Sequence, residues 1–323
     1  MSTSEIPAPE SAPIAGFWRR LIALAIDSMV LGIFGSGVGW SLCDVFAGMG
    51  AWGRLIGFLI AVTYFGVMNS SIFDGQTFGK RVMKIRVVTR NGEPLGVGAS
   101  FARAAILCTP VFVNQIAFGK AFWPNLLQGV LLFGLGLSIL YLYVFNRRTR
   151  QSLHDLAVGS FVVKALPAGA AVRADAPWRG HYAVVALLIA LPAGLPILVL
   201  PFLNQGPIAY TTALSELMAK EPGVREVLSV QEGWMKSAVF NRGAQTSTNL
   251  TVTVVPVSKA VDPEELANRI ARIALDAGQK SAQKDWINVS VSYGYDIGIA
   301  SAWRRDNFSF TPAQWRERLG AGG

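Results

Sequence analysis

The chain is short of charge, cysteine and histidine. Charged residues make up 15% of its 323 residues, whereas an average soluble domain has about 25%. It contains two cysteines and two histidines, which excludes a disulfide framework and argues against a cysteine- or histidine-based metal site. The nucleophile–base set typical of a hydrolase is not visible either, so we expect neither an enzyme nor a bound cofactor.

Hydrophobic residues are abundant instead, at 52% of the chain, and their long runs fall within the first 203 residues. Because about 20 apolar residues cross a bilayer as a helix, this pattern predicts a membrane protein. The net charge of +9 is also typical of nucleic-acid binding. However, the lysines and arginines cluster beside the apolar runs, as topology signals do. We therefore expect the lipid bilayer as a partner and no nucleic acid.

The apolar runs predict about five transmembrane helices. They cover Trp18–Trp40, Leu55–Phe73, residues 104–118, Trp123–Phe145 and His181–Leu203. The third is only about 22 Å long as a helix, against a hydrocarbon core of about 30 Å, so it is a short or broken span. The alternative is an interfacial helix in its place, which would reverse the side of the following basic cluster.

A basic segment between the second and third spans sets the predicted orientation. It contains Lys80, Arg81, Lys84, Arg86 and Arg90. The positive-inside rule places such a loop in the cytoplasm, together with the N-terminus. Five crossings then place residues 204–323 outside the cell (inner) membrane.

The chain divides into five predicted parts. They are a disordered leader (1–15), a transmembrane domain (16–165), an Ala/Pro linker (166–180), a final transmembrane helix (181–203) and a small soluble domain (204–323). Strands predicted at Met83–Thr89 and Ser160–Lys164 pair in a short cytoplasmic β-hairpin. The last domain reads as α-β-β-β-α-β-β-α, an α+β fold with a mostly antiparallel sheet. The fold class is thus an α-helical membrane domain plus a soluble α+β domain.

Charged residues within or beside the spans are the candidate functional residues. Arg20 and Asp27 are seven residues apart, so their side chains leave one face of the first helix, with Asp27 about 10 Å deeper. A carboxylate at that depth costs about 2.5–3.5 kcal/mol on insertion scales. Asp27 must therefore face protein, a water-filled cavity or a positive partner. Asp155 follows three arginines at 147, 148 and 150, whereas its neighbour His154 receives no role.

Three segments together resemble the RDD family of membrane proteins, which is named for one arginine and two aspartates. They are Arg20–Asp27, Gly75–Arg81, and Leu153–Asp155 with the following Gly159–Val163. The resemblance covers roughly residues 14–165, with Ser160 where the family usually has threonine. The C-terminal domain lies outside it.

The resemblance implies two groups of site residues. The first is a functional polar triad of Arg20, Asp27 and Asp155. The second is a cytoplasmic basic loop with Gly75, Gln76, Gly79, Lys80 and Arg81. Some members of the family look like monovalent cation/proton exchangers.

Two functions are compatible with these residues. In one, the triad clamps the first helix to the cytoplasmic hairpin, and the membrane domain anchors an outer domain that binds an envelope protein or a second copy. In the other, Asp27 exchanges monovalent cations for protons, because burial raises and a nearby arginine lowers the pKa of a carboxyl group. Few spans, no inverted repeat and a single deep carboxylate favour the anchor.

Overall fold

The structure is a computed structural model that describes residues 13–116, 118, 121–164, 171–203, 206–239, 243–277, 281 and 283–320. The chain forms two compact units. The first comprises Met1–Ser41, Ala51–Ile197 and Asp296–Ser301, and the second comprises Leu42–Gly50, Leu198–Tyr295 and Ala302–Gly323.

Helices follow the apolar runs in the first 203 residues and recur in the last 120. They are α1 (Phe17–Ser41), α2 (Cys43–Met49), α3 (Gly53–Met68), α4 (Phe78–Val82), α5 (Val97–Val113), α6 (Phe122–Gly129), α7 (Gly136–Phe145), α8 (Leu153–Val158), α9 (Gly180–Leu203), α10 (Gly206–Met218), α11 (Pro263–Asp276) and α12 (Pro312–Gly320). A π-helical turn, Val130–Leu135, joins α6 to α7.

Within the described part of the chain, three helical stretches are long and apolar enough to cross a membrane: Phe17–Ser41, Cys43–Met68 and Phe122–Phe145. Val97–Val113 and Gly180–Gly194 are shorter apolar helices. Each predicted span therefore overlaps an apolar helix, and the predicted α-helical membrane domain is confirmed. The third begins earlier and ends at Val113, because Asn114 leaves the helical conformation.

A small β-ribbon accompanies these helices. Strand β1 (Ile85–Val88) pairs antiparallel with β2 (Phe161–Lys164), which confirms the predicted pairing of these segments. Ala15, from the predicted leader, is fully buried and donates its N–H to the carbonyl of Val162 at 2.8 Å. In the predicted linker, Val172 is buried too. Residues 1–12 of the leader and 166–170 of the linker lie outside the described residues.

The second unit contains a four-stranded sheet in the order β3-β4-β5-β6. The strands are β3 (Val224–Val239), β4 (Gly243–Pro256), β5 (Trp286–Asp296) and β6 (Ser301–Phe310). β3 is one long strand where the sequence predicted two short ones. It pairs antiparallel with β4, whereas β4 and β5 are parallel. The parallel pair requires a crossover, which α11 supplies between the two strands.

The core of the second unit explains why this part folds as α+β. Alternate residues of β4 and β5, such as Val252 and Val289, are buried together with Ile270 of α11. Asp262 caps α11 by accepting the backbone N–H of Glu264 at 2.8 Å. A proline at the first helical position completes this start signal. The predicted α+β domain is confirmed.

Candidate functional site

Asp155 is the centre of a buried charge cluster. Its Oδ2 lies 2.6 Å from Nη2 of Arg20, and its Oδ1 lies 2.9 Å and 2.7 Å from Nε and Nη2 of Arg103. The backbone N–H of Ser152 and the hydroxyl of Ser160 add bonds at 3.2 Å each. Asp155 is fully buried, and Arg103 and Arg20 are 4% and 8% exposed. One carboxylate thus joins α1, α5 and α8.

Local sequence sets the position of this carboxylate. Asp155 is the third residue of α8, where it accepts the N–H of Ser152, the residue before the helix. Gly159 ends the helix with a φ of 66°, a conformation that glycine adopts at little cost. The chain then turns back, so that the hydroxyl of Ser160 reaches the same carboxylate. Serine supplies the hydroxyl as a threonine would.

Charge and burial oppose each other at this cluster. Burial raises the pKa of Asp155, but the guanidinium groups of Arg103 and Arg20 outweigh it and hold that pKa well below its usual range. The neighbouring His154 has Nε2 3.5 Å from Oδ1 of Asp155. Burial lowers the pKa of His154 to about 3 despite the nearby carboxylate. The imidazole is therefore neutral, and the charged groups of the cluster are the Asp155 carboxylate and the guanidinium groups of Arg20 and Arg103.

Asp27 is bound by a separate set of hydrogen-bond donors, none of which is charged. Its Oδ1 accepts the hydroxyl of Tyr64 at 2.7 Å and the backbone N–H of Gly79 at 2.8 Å, and its Oδ2 accepts the hydroxyl of Thr77 at 2.5 Å. The side chain is fully buried. Asp27 thus faces protein, one of the three environments expected for it, and ties α1 to α3 and to the start of α4.

Two glycines of the basic loop allow this approach. An ideal Cβ at Gly79 would lie 2.0 Å from the carbonyl oxygen of Ala23 in α1. At Gly75, φ is +70° and a Cβ would lie 2.2 Å from the carbonyl oxygen of Val87. Neither position accepts a side chain without moving backbone. Between them, Thr77 caps α4 by accepting the N–H of Lys80 at 3.3 Å.

The other residues of the loop have distinct surroundings. Gln76 donates its Nε2 to the carbonyl of Ile85 at 3.1 Å. The guanidinium of Arg81 lies 5.8 Å from the ring centroid of Phe73. Lys80 lines a cavity of about 220 Å³ that Arg20, Arg103 and His154 also line. Burial, followed by the charge of Arg103, lowers the pKa of Lys80 to about 7.

The structure divides the predicted triad between two clusters. Arg20 and Asp27 do not bond to each other: Arg20 pairs with Asp155, and Asp27 is bound by the loop. Arg20 also donates Nη1 to the backbone carbonyl of Arg150. The side chains of the arginines at 147, 148 and 150 make no ion pair with Asp155, whose two guanidinium partners come from α1 and α5.

Arg103 is the residue that sequence reasoning missed. It has the same signal as Arg20, a charged side chain inside an apolar segment, and such a residue needs a buried partner. In the described residues, no group of three or more His, Cys, Asp or Glu side chains could hold a metal ion.

Comparisons with known proteins support the resemblance to the RDD family. The RDD family matches residues 14–159. The chain is 30% identical over 132 residues to the uncharacterized protein YxaI of Bacillus subtilis, which covers 33% of this chain and 87% of that protein. It is 25% identical over 161 residues to the uncharacterized protein YckC of the same organism, covering 50% of this chain and 91% of that protein. No solved structure matches the chain.

Proposed function

Because the chain belongs to the RDD family over residues 14–159, we propose that its membrane part is an anchor that carries the C-terminal domain as an interaction module. One observation supports this most strongly: both aspartates are fully buried, and every oxygen of both carboxylates accepts hydrogen bonds from the protein. In this proposal the two clusters hold the anchor in one arrangement.

The hydrogen-bond partners support a structural role for the aspartates. Asp155 connects three helices through Arg20 and Arg103, and Asp27 connects α1 to the basic loop. A transport site must exchange its ligand, whereas these carboxylates have all their oxygens occupied. Buried charge pairs add little net stability but penalise arrangements that separate them. Fixing one arrangement of helices is what an anchor requires.

The C-terminal sheet supports an interaction role. β3 is an edge strand of 16 residues, and among the described residues it pairs only with β4. Its outer edge presents backbone N–H and C=O groups to which another strand can add. Trp234 on this strand is 68% exposed. We propose that an envelope protein or a second copy of the chain adds there. In this proposal the basic loop is cytoplasmic and residues 204–323 lie outside the inner membrane.

Cation-dependent proton flux tests the anchor. The purified full chain is placed in liposomes with a pH-sensitive dye, and Na⁺, Li⁺ or K⁺ is added. We expect no cation-triggered flux from the wild type. A flux that Asp27→Asn abolishes, while the matched control Asp74→Asn keeps it, would overturn the anchor proposal; Asp74 is an exposed carboxylate outside the spans.

Site-specific crosslinking tests the interaction module. A photo-reactive amino acid replaces Trp234 on the edge strand in cells, and a second variant carries it at Arg272, an exposed position of α11. We expect a discrete covalent adduct from position 234 and none from 272. Equal labelling at both positions, or no adduct at 234, would remove the support for strand addition.

Cation/proton exchange at Asp27 is the second candidate function, and one observation favours it. All three donors to Asp27 are uncharged, so no hydrogen-bonded cation neutralises this carboxylate. A small monovalent cation that displaced the donors would be attracted to it. Burial lowers the pKa of Lys80 to about 7, and the nearby charge of Asp27 acts to raise it. The same flux experiment decides between the two functions.

A further inference from the structure

A second cavity opens where α1 begins and α7 ends. Its volume is about 450 Å³. Its lining includes three arginines, Arg20, Arg147 and Arg150, and the side chains of Phe17, Tyr143 and Val144. Among its lining residues none is acidic. The lining therefore combines cationic side chains with apolar and aromatic ones, together with Asn146.

The three arginines differ in what they have left to bind. Arg20 is committed to Asp155 and lies over the ring of Tyr143, 5.0 Å from its centroid. Arg147 and Arg150 are exposed, and no described acidic side chain pairs with either. Nη1 of Arg150 lies close to Gly16: an ideal Cβ there would be 3.2 Å from it. Within the described part of the chain, neither guanidinium group has a hydrogen-bond acceptor or an ion-pair partner, so both can donate to an anion in the cavity.

The position of the cavity favours a lipid over a soluble anion. It lies at the ends of two stretches, Phe17–Ser41 and Phe122–Phe145, that are long and apolar enough to span a bilayer. Trp18 and Phe145 beside it are 70% and 58% exposed. Aromatic side chains and arginines at the end of a span lie at the level of lipid headgroups. Basic pockets between such helices bind anionic headgroups.

We propose that this cavity binds the headgroup of an anionic phospholipid. Arg147 and Arg150 donate to the phosphodiester, because guanidinium forks match phosphate oxygens and carry a charge-assisted bond. Phe17 and Val144 contact the glycerol and the first methylenes, and the acyl chains continue along the outer faces of α1 and α7. The occupant comes from the bilayer and needs no other protein.

Native mass spectrometry of the full chain in detergent tests the site. The protein is titrated with phosphatidylglycerol and, separately, with phosphatidylcholine of the same acyl chains. We expect a saturable adduct that forms about tenfold more tightly with phosphatidylglycerol, a difference of about 1.4 kcal/mol. Both lipids offer the phosphodiester, but only phosphatidylcholine adds a quaternary ammonium, which the two guanidinium groups repel. Arg147→Gln should lose this preference, and Arg147→Lys should restore part of it.

A matched control separates the site from general electrostatics. Arg148→Gln removes the same charge from the neighbouring residue, which does not line the cavity, so it should bind as the wild type does. Arg150→Asn provides a second cavity variant, because asparagine tolerates the φ of +54° found there. Equal losses in Arg147→Gln and Arg148→Gln would overturn the proposal. So would full competition by soluble glycerol phosphate, which would identify a free phosphate ligand.

Discussion

The substitution Asp155→Asn should lower the stability of the membrane part strongly, although it replaces only one oxygen atom of the side chain. In Asp155→Asn the side-chain amide would point a donor at one of two buried guanidinium groups, Arg20 or Arg103, and neither would retain a counterion. Breaking a buried ion pair by removing one partner costs about 3–5 kcal/mol. Two arginines depend on this carboxylate, so we expect the upper part of that range.

A buried thiol offers an assay for this loss. Cys108 is 5% exposed in α5, the helix that also carries Arg103. With Cys43 changed to serine, a dye that fluoresces on reacting with thiols reports the exposure of Cys108 as the detergent-solubilised full chain is heated. The reference variant is Asp74→Asn, whose pair with Arg86 has Asp74 53% exposed. Surface pairs contribute about 0–1 kcal/mol, so this variant should melt close to the wild type.

A comparison of the single and triple variants tests whether unpaired buried charge causes the loss of stability. If burial of unpaired charge causes the loss, then Arg20→Met/Arg103→Met/Asp155→Leu should be more stable than Asp155→Asn alone, because the triple variant leaves no uncompensated charge. Equal melting of Asp155→Asn and Asp74→Asn would refute the central role of the cluster. A triple variant less stable than Asp155→Asn would refute the explanation by unpaired charge.

Three further predictions follow from the same geometry. In thiol-dye melting, Asp27→Asn should lower the free energy of unfolding by about 1 kcal/mol, since the hydroxyl of Thr77 can turn to accept from the new amide. Asp27→Leu leaves three donors unpaired and should cost about 1–3 kcal/mol per buried donor. Similar melting of the two variants would contradict this. Gly79→Ala should abolish the yield of folded protein, because its Cβ would lie 2.0 Å from the carbonyl oxygen of Ala23. Gly96→Ala should express normally, because a Cβ there meets nothing within 4 Å. Equal yields of the two variants would contradict the close approach at Gly79. The pKa of Lys80 is lowered to about 7, so the folded chain releases this proton above about pH 7, whereas the unfolded chain holds it up to about pH 10. Stability should therefore rise from pH 7 to pH 9 in the wild type, and more than in Lys80→Met. Parallel pH profiles of the two proteins would contradict this prediction.

Local patterns in the sequence determined the elements of this protein. Long apolar runs favour helices, because a helix satisfies its backbone N–H and C=O groups within one segment when it lies in lipid. The start of α11 was equally readable, since Asp262 followed by proline is a local signal. The pairing of β1 with β2 followed from two short β-branched segments. The RDD motifs identified Arg20, Asp27, Asp155 and the glycines of the loop.

Tertiary structure alone decided which of these residues meet. Arg20 and Asp27 share a helix face, yet Arg20 turns to Asp155, 135 residues away, and Asp27 to the loop at Gly79. Arg103 joined the cluster from a helix whose charge gave no indication of its partner. The strand pairing of β4 with β5 likewise depended on where α11 crosses. Side-chain partners across the sequence are chosen by the packing of whole helices, and periodicity within one segment carries no information about that packing.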